Sequence, residues 1–438
     1  MFLKRESARF FAGLLLVCCS LLQSAPGLAE DYSFDLDEFE KKSFTWGGYA
    51  ELKGEHNGLN RHGAFGLLGL YDTPRSDLDR LTSTIQLNGN LNKAMVDFNW
   101  QLQAFTQQDQ LESDKELNVF SAYASIKPSP SVTIEVGKKT FKWGKGYAWS
   151  PVGFIDRPKD PNNPEEALEG YIGAGVDLIK SYPGTLQTLA FTGVLLPVWE
   201  DVNDDFGEKN NINFAAKLYL LYRDTDIDFI FFTGDSRSTR FGVDISKNLA
   251  TNFEIHAELA HIPGQKIKRL NNLGSLSTYE ESVTSYLLGL RYLTENDITT
   301  ILEYYHNDAG YSENQMDQFY QLVSDAHSSF SGTGDDSLLR QAARVSKSGY
   351  ARPQAGRNYL YLRVTQKEPF DLLYFTPGVT AILNLDDSSY SLSPEAVYTG
   401  FTNWEMRLRY SRLDGGRFTE YGEKVNEDKL ELRIRYYF

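Results

Sequence analysis

Apolar and polar residues alternate with period two along most of this chain, which predicts β-strands with one greasy and one polar face. In Trp404-Glu-Met-Arg-Leu-Arg-Tyr410, the residues Trp404, Met406, Leu408 and Tyr410 share one face, and Glu405, Arg407 and Arg409 share the other. Leu430–Tyr436, Val96–Gln103 and Phe253–Leu259 repeat the pattern. A soluble sandwich would alternate too, so period alone does not decide the fold.

The spacing of breakers is more telling. Short breakers stand at Asn90–Lys93, Pro128–Ser131, Tyr182–Thr185, Arg223–Asp226, Lys247–Ala250, Thr294–Asp297, Lys367–Phe370 and Gly400–Asn403. The connections between them are mostly longer: 57–80, 108–115, 141–169, 197–211, 263–281, 308–356 and 413–428, with short ones near Asp235 and Asp386. Tight turns on one side and long loops on the other predict an all-β transmembrane antiparallel barrel of about 18 strands, with short periplasmic turns and long extracellular loops. Each strand is expected to run roughly 8–13 residues, near what a tilted strand needs to cross a bilayer.

The first residues fit export. Lys4, Arg5 and Arg9 precede an apolar run from Phe10 to Leu22, and small residues lead to Ala29. This predicts a signal peptide over 1–29, a periplasmic N-terminal segment over 30–43 and the barrel over 44–438. Both cysteines, Cys18 and Cys19, fall in the signal peptide, so the segments after it hold no disulfide and no covalent haem site. The acidic segment 30–43 is too short for a folded plug. It is expected to lie in the periplasmic opening or to meet a partner there.

Composition narrows the function. A formal net charge of -15 argues against nucleic acid as a partner. Aromatic content of 13% beside hydrophobic content of 41% suits a barrel with an apolar outside and a wet inside. No nucleophile elbow or histidine cluster points to catalysis, so no catalytic residue, metal ligand or cofactor is assigned. Acidic stretches at Asp201–Asp205 and Asp386–Asp387 are read as solvated loops rather than calcium sites.

The C-terminal strand resembles that of bacterial outer-membrane β-barrels, with Leu430, Leu432, Ile434, Tyr436 and the terminal Phe438 in alternation. The resemblance implies a Gram-negative outer-membrane location, surrounding lipid, and handling of the Phe438 strand by the barrel assembly machinery. A second likeness, to the porin-like and alginate-export-like group of large barrels, is clearest in Asn118-Val-Phe-Ser-Ala-Tyr-Ala-Ser-Ile-Lys-Pro128 and Val132–Lys139. It covers residues at about 118–170 and the C-terminus. It implies a channel for passive passage of small polar or charged solutes. Two alternatives stay open: a polysaccharide-export barrel, and a scaffold or sheath around a periplasmic electron-transfer cytochrome.

In such a barrel the polar faces must line the lumen, because a charge facing lipid at the midplane costs ~2–4 kcal/mol. The expected pore-lining residues are Arg363, Arg407, Arg409, Arg433 and Arg435 on the C-terminal strands. Elsewhere they are Glu51, Glu55, Asp97, Asp177, Glu254, Glu258 and Glu303. These charges either pair across strands or form a segregated field that orients solutes.

The loop 141–169 begins Phe141-Lys-Trp-Gly-Lys-Gly-Tyr. Its GKG lacks the register of a phosphate loop, and Pro151, Pro158, Pro161 and Pro164 exclude a helix. Its aromatics favour burial. It is expected either to fold into the pore mouth as a constriction or to pack on itself at the rim. Its candidate residues are Trp143, Lys145, Trp149, Asp156, Arg157 and Lys159. Met316, Phe319, Tyr320 and Val323 fall at helical spacing, predicting a short amphipathic helix in the long loop 308–356, followed by a flexible linker at Ser331–Asp336.

Overall fold

A computed structural model describes residues 43–438 apart from 272 and 273. The predicted signal peptide and nearly all of the segment 30–43 lie outside the described residues. The rest is one 18-stranded antiparallel sheet, closed by pairing of the first strand with the last.

The strands are β1 (Phe44–Leu59), β2 (Asp77–Lys93), β3 (Val96–Asp109), β4 (Ser113–Ser129), β5 (Val132–Lys139) and β6 (Tyr171–Ser181). They continue with β7 (Leu186–Val198), β8 (Asn211–Tyr222), β9 (Thr225–Thr233), β10 (Arg240–Ala250), β11 (Phe253–Leu270) and β12 (Leu276–Leu293). The set ends with β13 (Ile298–His306), β14 (Asn358–Gln366), β15 (Phe375–Asn384), β16 (Tyr390–Tyr398), β17 (Trp404–Asp414) and β18 (Asn426–Tyr437). Each strand pairs with its sequence neighbours, the up-and-down order that short turns allow. At the seam Glu51 stands opposite Arg435 and Lys53 opposite Arg433, and Gly48 and Phe438 exchange backbone hydrogen bonds of 3.1 Å.

Alternation decides what faces where. Ile85, Val136, Leu195, Ile212, Phe229, Ile245, Leu288 and Leu408 are exposed on the outer face. Their strand neighbours Gln86, Asp228, Asp244, Leu287 and Arg409 point inward, the last four of them buried. Apolar side chains left open to the surroundings in a continuous belt match a lipid-facing surface. Rings such as Trp404 and Tyr436, with centroids 4.9 Å apart, mark the border on the short-turn side.

Three expectations need correction. The connection 263–281 is mostly strand: β11 runs to Leu270 and β12 starts at Leu276, so these two 18-residue strands exceed the expected length, as do β1 to β4 at 14–17 residues. The helix in 308–356 is not short. It is α2 (Glu313–Thr333, 21 residues), and a further helix α3 (Ser337–Val345) follows it. The supposed linker at Ser331–Asp336 is the last turn of α2 plus a break at Gly334, whose left-handed φ of 75° caps the helix. Glycine and serine there signalled flexibility, but a capping box at Ser312 and Gln315 nucleates the helix and burial of Met316, Phe319, Tyr320 and Val323 carries it on. With the short helix α1 (Ala64–Gly69), these elements build a cap over the strand ends. It reaches β11 through the Tyr350 hydroxyl, which accepts from Leu270 N–H at 2.9 Å, and the β17–β18 loop through Phe418.

Candidate functional site

The inner face is built in sectors. On β2 and β3 it is neutral and amide-rich: Gln86 accepts from Gln101 Nε2 at 2.9 Å, and Asn99 accepts from Asn90 Nδ2 at 2.8 Å. On β14, β16, β17, β18 and β1 it is a charge ladder. Arg435 pairs with Glu51 at 2.6 Å, Arg433 with Glu431 at 3.3 Å, and Arg409 with Glu395 at 2.6 Å. Arg363 reaches Glu395 at 3.4 Å, and Lys429 bridges Glu55 at 3.2 Å and Glu431 at 3.3 Å. Arg407 lies 3.6 Å from Glu405. Asp97, at the start of β3, interrupts the amide sector and is bound to Lys127 at 2.9 Å, while Asp177 sits on β6, bound to the Thr192 hydroxyl at 2.5 Å.

The third sector, β9 to β13, is acidic. Asp228 and Asp244 face each other across adjacent strands, Asp244 pairs in register with Glu258, and Glu254 and Glu303 stand nearby with His256 between them. All of these except Glu254 are buried. What buries them is the loop 141–169.

That loop crosses the lumen. Trp143, Val152, Phe154 and Ile155 pack on the inward residues Val194, Leu196, Val198, Ala215, Ile230 and Phe232 of β7, β8 and β9. This patch of inner wall is apolar because it receives a protein segment instead of water. Trp149 enters an aromatic box, with ring centroids 5.2 Å from Tyr305 and 5.9 Å from both Tyr359 and Tyr361. Farther along, Asn163 Oδ1 accepts from Arg407 at 3.3 Å and Asn162 contacts Ser393 at 3.5 Å, so the segment reaches the opposite wall.

Two buried wall carboxylates fasten it. Glu258 accepts Gly146 N–H at 2.6 Å, Val152 N–H at 3.3 Å and the Ser150 hydroxyl at 3.3 Å. Glu303 accepts Tyr147 N–H at 2.5 Å and Ala148 N–H at 2.8 Å, and its Oε1 lies 2.9 Å from His256 Nε2. A carboxylate taking several backbone N–H bonds is an anion held in a nest, here with the anion on the wall and the nest on the loop. The GKG glycines serve this close approach. A Cβ on Gly144 would sit 1.7 Å from Ser150 Oγ, and one on Gly146 2.2 Å from Trp149 O.

The loop's charges are mostly engaged. Lys145 lies 2.8 Å from Asp228 and 3.8 Å from Asp244. Burial disfavours its ammonium, but the hydrogen bond to Asp228 and the field of the nearby aspartates outweigh this and raise its pKa. Asp156 accepts Trp143 N–H at 2.8 Å, and burial raises its carboxyl pKa despite that bond and the lysines around it. Arg157 bonds Asp205 and stacks on Tyr171, 4.4 Å to the centroid. Lys159 donates to Gly146 O.

Of the twelve residues expected to line the pore, Arg363, Arg407, Arg409, Arg433, Arg435, Glu51 and Glu55 come together in the ladder, Glu254, Glu258 and Glu303 meet the loop, and Asp97 and Asp177 lie apart from both groups. Glu258 and Glu303 lie beneath the loop rather than beside open water. Sequence reasoning passed over Asp228 and Asp244, which hold Lys145, and the buried Glu395 and Glu431 of the ladder. Their signal was present: Thr225-Asp-Ile-Asp-Phe229 alternates acid and apolar residues as plainly as any strand singled out above. Below the loop a cavity of about 730 Å³ opens, lined by Lys142, Lys145, Arg157, Lys159, Arg291 and Arg363 together with Asp156, Glu165 and Glu166.

No protein-family model and no curated protein matches the sequence. Solved structures do. The chain resembles OccK7 (OpdD) of Pseudomonas aeruginosa at 10% identity, over 91% of this chain and 99% of that one, with a TM-score of 0.52. OccK3 (OpdO) of the same organism matches at 11% identity over 90% and 95%, with a TM-score of 0.50. A mutant of the porin of Rh. blastica aligns over 90% of this chain and all of its own at 11% identity, with a TM-score of 0.43. Identities this low speak for the fold, and the fold is that of a porin-like outer-membrane β-barrel.

Proposed function

We propose that this protein is an outer-membrane channel for passive passage of small polar or charged solutes, and that the loop 141–169 narrows it. The observation that carries the proposal is the loop's anchorage inside the lumen by Glu258 and Glu303. A segment fixed to the wall at those points reduces the open section without filling it. On this reading solutes pass between the loop and the amide wall of β2 and β3, with the arginine ladder at one side. In that passage the paired ladder charges orient a dipolar or charged solute, while the amides offer neutral hydrogen bonds. The polymer-export and cytochrome-sheath alternatives gain no support from the structures that share this fold.

The test is single-channel recording of the refolded chain from Glu30 onward in a planar bilayer, with reversal potentials under a salt gradient. Discrete open steps with an ionic preference support the proposal. A folded barrel that stays silent at all voltages overturns it.

A further inference from the structure

The turn joining β14 to β15, Lys367–Tyr374, does not resemble the other tight turns. Among the described residues, those expose at most one large apolar side chain each, such as Met95 or Phe401. This turn exposes four in five positions: Phe370 at 95%, Leu372 at 55%, Leu373 at 63% and Tyr374 at 54%.

The turn is not loose. Glu368 N–H donates to Phe375 O at 2.9 Å and Leu372 N–H to Pro369 O at 3.1 Å. The Glu368 carboxylate accepts Tyr374 N–H at 2.9 Å. Both neighbouring turns hold it: Lys367 N–H donates to Asp297 O at 3.2 Å, and Thr399 N–H donates to Tyr374 O at 3.0 Å. Within this frame Glu368, Phe370, Asp371 and Tyr374 all take left-handed backbone, with φ of 49°, 55°, 59° and 64°. A bulky residue in that region costs free energy, and the cost persists only where the surroundings impose it. A braced, strained turn that displays its apolar side chains is built to present them.

The neighbourhood indicates to what. The turn runs into the outward border residues of the barrel: Phe375 pairs in register with Tyr398, whose ring lies 5.5 Å from Phe401, and Trp404 follows. The apolar turn is thus continuous with the lipid-facing belt. Its charges, Lys367, Glu368 and Asp371, flank and interrupt the apolar residues, as in a segment lying at a headgroup boundary.

We propose that Lys367–Tyr374 is a lipid anchor whose Phe370, Leu372 and Leu373 side chains enter the headgroup–acyl boundary of the periplasmic leaflet. The proposal rests on the outer-membrane reading above. It fixes the β14–β17 side of the barrel at a set depth, more firmly than the other short turns with at most one exposed apolar side chain each.

The chain from Glu30 onward has no cysteine, so single labels are clean. Phe370→Cys and, separately, Leu373→Cys would carry an environment-sensitive nitrobenzoxadiazole label in vesicles of phosphatidylethanolamine and phosphatidylglycerol. Leu408→Cys on the outer belt and Gly416→Cys on an extracellular loop are the references. The expected result is blue-shifted emission at 370 and 373, quenched by nitroxide lipids as strongly as at 408 and protected from iodide. Aqueous emission and iodide quenching at 370 and 373, with 408 still in lipid, would overturn the anchor and mark the turn as a surface for a periplasmic protein. Aqueous emission at 408 as well would overturn the outer-membrane reading on which the anchor depends.

Discussion

Replacing Glu303 by Gln changes one oxygen to an amide nitrogen and removes one charge at a fully buried site. The side chain is fully buried, and its two oxygens accept from Tyr147 N–H, Ala148 N–H and His256. A glutamine can still serve one side with its carbonyl. Its NH2 group must then face a backbone N–H, donor against donor. One charge-assisted hydrogen bond, worth about 1.5–3 kcal/mol, is lost and another weakens to neutral strength. The loop's docked state should therefore lose about 3 kcal/mol against any released state, a shift of roughly a hundredfold in that equilibrium. Glu258→Gln removes a comparable anchor at Gly146 and Val152. Because both carboxylates fasten one continuous segment, residues 146–152, the double variant should deviate from additivity.

The assay has two arms. Amide exchange over Gly146–Val152 should accelerate by about two orders of magnitude in Glu303→Gln, while the strand amides of β2 and β3 hold their protection. Single-channel records should show flicker to a larger conductance, more frequent in the double variant. Unchanged exchange over 146–152, together with an unchanged conductance histogram in the double variant, would refute the claim that these carboxylates hold the constriction.

Other outcomes follow from the same geometry. Deleting 143–160 should raise conductance and turn selectivity toward cations, because it uncovers Asp228, Asp244, Glu258 and Glu303; reversal potentials check this. Trp149→Ala empties the box of Tyr305, Tyr359 and Tyr361, a loss of about 3–5 kcal/mol in loop docking, and faster exchange at Ala148 and Ser150 would report it. Arg407→Glu combined with Arg409→Glu should shift ion preference toward cations under a salt gradient, since it replaces two positive partners of Glu405 and Glu395 by negative charges. Burial holds the Asp156 carboxyl pKa above its ordinary value, so its contribution to loop docking is most favourable at acid pH and declines as pH rises from the ordinary carboxyl pKa up to the raised one. Asp156→Asn should remove that component, so protection of the Trp143 amide, corrected for the intrinsic pH dependence of exchange, should vary less with pH in the variant than in the parent.

How much of this was legible in the sequence follows from which forces act locally. Strand number and closure were readable because period-two alternation and tight turns are local properties, visible in Trp404–Tyr410 and Leu430–Tyr436 without any partner. The inner face was readable for the same reason: once Arg435 and Glu51 alternate with apolar neighbours, only one side of the sheet can accept them. The length of β11 and β12 was not, since Pro263 and Gly264 mimic a loop, while the structure absorbs them in a register shift between Ile262 and Gln265. The length of α2 was hidden by its serines and Gly332, whose weak local propensity is overruled by packing against Phe65 and Tyr350.

The least legible feature was also the most consequential. In β7 and β9 the inward residues Val194, Leu196, Ile230 and Phe232 are as apolar as the outward ones, so both faces read alike. A strand that is apolar on both faces of a barrel with a wet lumen conflicts with its setting unless something dry lies on its inner side. The loop 141–169 carries the matching excess, with Trp143, Val152, Phe154 and Ile155 in a segment that would otherwise lie in water. Each anomaly is costly alone, and their union resolves both. The acids complete the argument: Glu258 and Glu303 would be ordinary lumen charges in an open pore, but beneath the loop they meet backbone N–H groups that have no partner in a helix or sheet. The inner wall of β7–β13 and the loop are therefore one complementary unit, and in the proposed channel the size of the passage would depend on the stability of their contact.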